Sequence, residues 1–103
     1  MNRVLRITNP TKQDLLEIWL GLEPFGVEMA DRRLAEIQAK FLKLRQFPGL
    51  GRSREDRAPG LRSMVARDLV ILYRSLEGLV IIVRVVPGQR DLKQILAELE
   101  GDD

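Results

Sequence analysis

Apolar positions along this chain switch between two periods, and each switch is marked by proline or glycine. Val4 to Thr8 alternates, which predicts a short strand with Val4 and Arg6 on one face and Leu5 and Ile7 partly buried on the other. Asn9-Pro10 then reads as a helix start, with Asn9 as the cap and Pro10 in the first turn, where a missing N–H costs nothing. Leu15, Ile18, Trp19 and Leu22 recur at i, i+3, i+4 and i+7 and so share one helix face. Gly21 and Pro24 bracket the stop, and Gly26 opens the next turn. From about Val27 to Arg45 the residues Ala30, Leu34, Ile37, Phe41 and Leu44 step by four and three, which predicts a second helix. The link is short, so the two helices form an antiparallel hairpin. Its apolar seam is too narrow to be a complete core and needs a sheet beneath it.

That sheet is predicted downstream. Phe47-Pro48-Gly49-Leu50-Gly51 breaks the helix, and residues 52–60 read as a polar loop ending in Pro59-Gly60. Leu61 to Ala66, Leu69 to Arg74 and Leu79 to Val86 then read as three strands. Their links, Arg67-Asp68 and Ser75 to Gly78, are hairpin-sized, so the strands form an antiparallel meander. Pro87-Gly88 ends the last one. Leu92, Ile95, Leu96 and Leu99 fall at helical spacing and predict a short C-terminal amphipathic helix running into an acidic, frayed tail at 98–103. The fold class is therefore α+β. We expect one two-layer domain over 1–103, with an N-terminal strand, a helix hairpin, a three-strand meander in one sheet and a short last helix.

The faces of the last strands bear on partners. By parity, Leu69, Ile71 and Tyr73 share a face, as do Leu79, Ile81, Val83 and Val85, and these are assigned to the core under the hairpin. The opposite face, Val70, Leu72, Arg74, Val80, Ile82, Arg84 and Val86, is also largely apolar, whereas a solvated face alternates more cleanly. Two readings follow: the last helix covers this face within the monomer, or a partner covers part of it.

Composition narrows the chemistry. Among 103 residues there is no cysteine, which excludes disulfides and thiolate metal sites, and no histidine, the usual acid–base group near neutral pH. No metal-ligand cluster and no cofactor motif is evident. Nor is there a membrane-length apolar run or a signal-peptide core, so the expected location is the cytoplasm. The net charge is +2, but residues 98–103 hold four acids and no base, so residues 1–97 carry +6. Between Leu50 and Arg90 stand eight arginines and no lysine. Clustered guanidinium groups suit phosphate or carboxylate recognition, and they equally suit a solvated surface.

The order of elements and its punctuation resemble the RelE/ParE superfamily of bacterial toxin–antitoxin systems over nearly the whole chain. Asp14-Leu15-Leu16-Glu17-Ile18-Trp19 is similar to the opening of that family's first helix. Phe47-Pro48-Gly49-Leu50-Gly51-Arg52 resembles its P-x-x-G-R turn. The most specific stretch is Gly60-Leu61-Arg62, Ile71-Leu72-Tyr73-Arg74, Val80 to Val86, then Gly88-Gln89-Arg90-Asp91. The resemblance implies a cognate antitoxin that is acidic and folds as it binds, within a toxin–antitoxin hetero-oligomer. It leaves two actions open: RelE-type mRNA cleavage on the ribosome, or ParE-type inhibition of DNA gyrase by binding. A non-toxic member that keeps antitoxin binding is a third reading.

Cleavage through a 2′-hydroxyl needs a base, an acid and cations around the phosphate. Residues 44–92 hold no lysine, Leu69-Val70 stands where such nucleases tend to show arginine, and Asp91-Leu92-Lys93-Gln94-Ile95 supplies no tyrosine after Arg90. The one tyrosine, Tyr73, reads as a core ring with its hydroxyl at the edge. Many relatives carry histidine where this chain has Pro87, which here reads as a strand terminator. The expectation is a binder of the ParE type with no catalytic residue. Target- or phosphate-binding candidates are Arg62, Arg67, Arg84 and Arg90; antitoxin-interface candidates are Val70, Leu72, Arg74, Val80, Ile82 and Arg84. Arg52, Arg54 and Arg57, beside Glu55 and Asp56, read as local ion pairs.

Overall fold

A computed structural model describes residues 3–88 and 92–100. The order is β1 (Val4–Ile7), α1 (Asn9–Leu22), a 3-10 turn (Glu23–Phe25), α2 (Val27–Gln46), a second 3-10 turn (Pro48–Leu50), β2 (Arg52–Ser53), β3 (Leu61–Ala66), β4 (Leu69–Leu76), β5 (Leu79–Pro87) and α3 (Leu92–Glu100). The helix cap lies one residue earlier than expected: Thr8, in extended backbone, accepts from Thr11 N, and Asn9 and Pro10 are already helical. The loop at 52–60 likewise contains a strand that sequence did not predict, because two residues are too few to show alternation. Arg52 pairs with Ser63 and Ser53 with Arg62, which makes five strands in the order β1-β5-β4-β3-β2.

The sheet is antiparallel except at β1, which joins the far side of β5 in parallel with Val4 opposite Leu79 and Ile7 opposite Ile82. Both faces are covered. The helix hairpin lays Leu15, Ile37, Phe41 and Leu44 on Ile71, Tyr73, Val80, Ile82 and Val85. On the other face α3 sets Ile95 and Leu96 against Leu61, Val70, Leu72 and Val86. Of the two expectations for that face, cover from within the chain is the one observed for the described residues.

The parity reading of β5 is corrected. Val80 and Ile82, assigned to the second face, are fully buried under the hairpin, and Val83, assigned to the hairpin core, packs on the α3 side. Two causes act together. Residues 79–83 are apolar at every position, so a period of two has no phase to read. In addition, Leu72 stands opposite Arg84 but Tyr73 opposite Ile82, leaving Val83 as the extra residue of a bulge that reverses the alternation within the strand.

Candidate functional site

The bulge falls where β1 ends, so the outer edge of β5 loses its strand partner just as its backbone becomes irregular. The first turns of α1 take over that edge. Thr8 N and Thr11 Oγ1 both donate to the carbonyl of Ile82, at 3.2 and 2.9 Å, and Thr8 Oγ1 donates to that of Val83 at 3.1 Å. Asp14 completes the set. One of its oxygens accepts from Arg84 Nε at 2.7 Å and Val85 N at 3.0 Å, the other from Arg84 Nη2 at 2.8 Å. Asp14 is only 7% exposed, so this two-pronged pair fixes α1 to the bulge from inside the structure. The hydrogen bond that Arg84 donates to Asp14 raises the Arg84 pKa, and the charge of Glu98 on α3 adds to it.

Opposite Ile82 on the neighbouring strand β4, Tyr73 is fully buried and its hydroxyl closes the turn after α2: it accepts from Gly51 N at 2.8 Å and donates to Pro48 O at 2.7 Å. Burial pushes its pKa above the ordinary 10.0, against the lowering effects of the Gly51 N–H and the Arg62 charge. A phenol whose folded pKa is raised contributes stability below pH 10, and that contribution is lost as pH rises through the folded value. Tyr73→Phe should therefore cost about 1–2 kcal/mol at neutral pH, since a buried N–H and C=O lose their partner. In chemical denaturation the gap to the parent should narrow above pH 10; a constant gap would refute the assignment.

Between the hairpin and the β3–β4 turn lies an open groove of about 760 Å³, with Ile18, Leu22, Met29, Leu69, Val85 and Pro87 among its apolar walls. Charged side chains rim it. Arg33 from α2, whose side chain is 14% exposed, donates to Glu36 at 3.2 Å, to Asp68 at 2.9 Å and to the Ala66 carbonyl at 3.3 Å. The Asp68 carbonyl also accepts from Gly88 N at 2.7 Å. These bonds pin both neighbours of Arg67. Arg67 itself, at the first position of the two-residue turn, adopts φ +59°, and it is the one non-glycine with positive φ among the described residues. That backbone costs a residue with a β-carbon about 1 kcal/mol, and turns of this kind favour glycine there. Its side chain is 72% exposed, and its ion pair with Glu36 is 3.7 Å long. Such a pair contributes roughly 0–1 kcal/mol and does not outweigh the strain.

The family model described as ParE toxin of type II toxin–antitoxin system, parDE, matches residues 5–92. The chain belongs to the ParE toxin family. Toxin ParE3 of Caulobacter vibrioides is 38% identical over 93 residues, 89% of this chain and 92% of that protein. Toxin ParE1 of Mycobacterium tuberculosis is 31% identical over 84 residues, 80% of this chain and 86% of that one. In fold, the chain resembles a solved structure of the chromosomal ParDE system from P. aeruginosa, with a TM-score of 0.72 at 21% identity, covering 84% of this chain and 97% of that one. It also resembles the toxin–antitoxin complex RelBE2 from Mycobacterium tuberculosis, with a TM-score of 0.64 at 23% identity and coverage of 84% and 99%. The groove lies wholly inside the ParE match, whereas α3 begins at Leu92, where that match ends.

In this ParE-family toxin the arginines expected to act together are dispersed. Arg62 stands opposite Tyr73 on the hairpin face, beside Gly49. Arg67 lies five residues further along β3 and its turn, ~16 Å away at the rise of an extended strand. Arg84 is held by Asp14, and Arg90 lies outside the described residues. The interface candidates are likewise spread over both faces of the sheet. Val70 and Leu72 lie beneath α3, Val80 and Ile82 beneath the hairpin, and Arg74 Nε donates to the Pro59 carbonyl at 3.0 Å. The side chains of Leu92 and Leu99 also lie outside the described residues.

Sequence reasoning passed over Thr11 and Asp14 as site residues, although a signal was present. Both fall at i−4 and i−1 of Leu15, on the face that enters the core, and a buried polar group there requires partners. It also missed the groove, because Met29 lies off the apolar stripe of α2 and Arg33, Glu36 and Asp68 come together only through the hairpin turn. Among the described residues no cluster of three or more ligating side chains could hold a metal, and no helix is long and apolar enough to cross a membrane.

Proposed function

We propose that this ParE-family toxin acts by binding DNA gyrase and inhibiting it, and that a cognate antitoxin neutralises it by seating an amphipathic segment in the groove between the hairpin and the β3–β4 turn. One observation carries the choice of binding over RNA cleavage: the groups that cleavage would need are engaged or apart. The Tyr73 hydroxyl is closed on Gly51 and Pro48 with its pKa raised, Arg84 is paired with Asp14, and Arg62 and Arg67 lie at opposite ends of β3. The chain also lacks histidine. Neither the Tyr73 phenol nor these guanidinium groups are thus poised for proton transfer at neutral pH.

The apolar groove supports a seat there, and the likeness to solved toxin–antitoxin assemblies supports an antitoxin as its occupant. An amphipathic helix laying its apolar face into such a groove is a recurrent mode of recognition. Two assays test the reading. Purified toxin should inhibit gyrase supercoiling and leave mRNA on programmed ribosomes intact; cleavage without any effect on gyrase would reverse the assignment. Met29, 49% exposed on the groove wall, can be changed without emptying the core. Met29→Asp should weaken antitoxin binding roughly 10- to 100-fold, the effect of losing an apolar contact and burying a charge, as read by calorimetry.

A further inference from the structure

The turn at Arg67 combines features that stability alone does not explain. Glycine would take the φ of +59° freely, yet the position holds an arginine whose guanidinium is mostly in water. The flanking residues are tied down on both sides: the Ala66 carbonyl and Asp68 carboxylate bind Arg33, and the Asp68 carbonyl binds Gly88 N. The side chain that emerges between them lines the groove, and its contact with Glu36, at 3.7 Å, is longer than a hydrogen bond. The same Glu36 oxygen already accepts from Arg33 at 3.2 Å, so the Arg67 fork keeps donors to offer. Arg32, exposed on α2, lines the same groove; of its acids, Asp14 is held by Arg84, and Glu36 and Asp68 by Arg33.

We infer that Arg67 is a specificity-determining residue of the groove: its strained turn holds the guanidinium ready to receive a carboxylate from the acidic side of the antitoxin segment whose apolar side lies on Ile18, Leu22 and Met29. Strained backbone retained beside a binding surface is the pattern expected where recognition outweighs stability. The planar fork pairs with a carboxylate through two parallel N–H···O bonds. Because the turn is already pinned, little ordering cost remains at the moment of binding. The inference rests on the groove as the antitoxin seat.

The test uses the full chain and its cognate antitoxin. Arg67→Gly removes the guanidinium and relieves the backbone, so its melting temperature should rise by about 3 °C while affinity for the antitoxin falls about tenfold, the loss of one charge-assisted pair. Arg67→Lys, which keeps the charge but not the fork, should recover only part of the affinity. If Arg67→Gly binds as tightly as the parent while Met29→Asp binds weakly, the groove stands and the role of Arg67 is overturned. If neither change weakens binding, the groove itself is not the seat, and the inference falls with it. A melting temperature lowered by several degrees in Arg67→Gly would show that the arginine serves the fold, which also overturns it.

Discussion

Asp14→Ala should destabilise this toxin by about 3 kcal/mol, near the lower end of what breaking a buried ion pair costs. Three donors lose their acceptor together: both prongs of Arg84 and the Val85 N–H. Arg84 remains 27% exposed and recovers some solvation, whereas the buried Val85 N–H lies on the outer edge of β5, past the end of β1, where no strand partner can replace Asp14. Against a total of 5–15 kcal/mol for a typical domain, that loss is visible as a shifted urea midpoint. Replacing both partners, Asp14→Leu with Arg84→Met, should recover much of it, because a well-packed apolar pair leaves no orphaned charge. A double variant as weak as the single one would assign the effect to Val85 N alone.

Gly51→Ala should cost a similar amount, about 3 kcal/mol, for a steric reason. Its backbone is ordinary, with φ −78° and ψ 159°, so freedom of rotation is not what requires glycine. A β-carbon there would lie 2.5 Å from the Tyr73 hydroxyl and 2.8 Å from the Ser63 carbonyl. The ring is fully buried and cannot yield without giving up its bonds to Gly51 N and Pro48 O. Overpacking of about 1–3 kcal/mol and two bonds of about 1 kcal/mol each then act together. Thermal unfolding reads the result. A variant within about 0.5 kcal/mol of the parent would mean that the turn after α2 relaxes freely.

The fold was largely legible because its helices and strands carry different periods and short links. The Leu15 and Ile37–Phe41–Leu44 stripes, the hairpin and the meander all appear where the pattern puts them. What stayed illegible was whatever depends on pairing rather than on period. The two-residue β2 is too short to alternate, and the bulge at Val83 shows itself only in register with β4. The site was harder still. Arg84 reads in sequence as a candidate for target and antitoxin contact, and nothing there reveals that Asp14, 70 positions away, holds it. Arg67 was singled out by its charge, whereas its interest lies in a backbone angle that no side-chain pattern encodes.

The parallel seam between the first and last strands also sets a timetable. Val4 needs Leu79, and Thr8 and Thr11 need the carbonyl of Ile82. At 5–20 residues per second, β1 therefore waits roughly 4–15 s on the ribosome for its neighbour to be made. Until then the helix hairpin can form locally but has only part of the sheet on which to bury Phe41 and Leu44. A chain interrupted before β5 cannot close the sheet, so the folded toxin exists only once synthesis has passed the last strand.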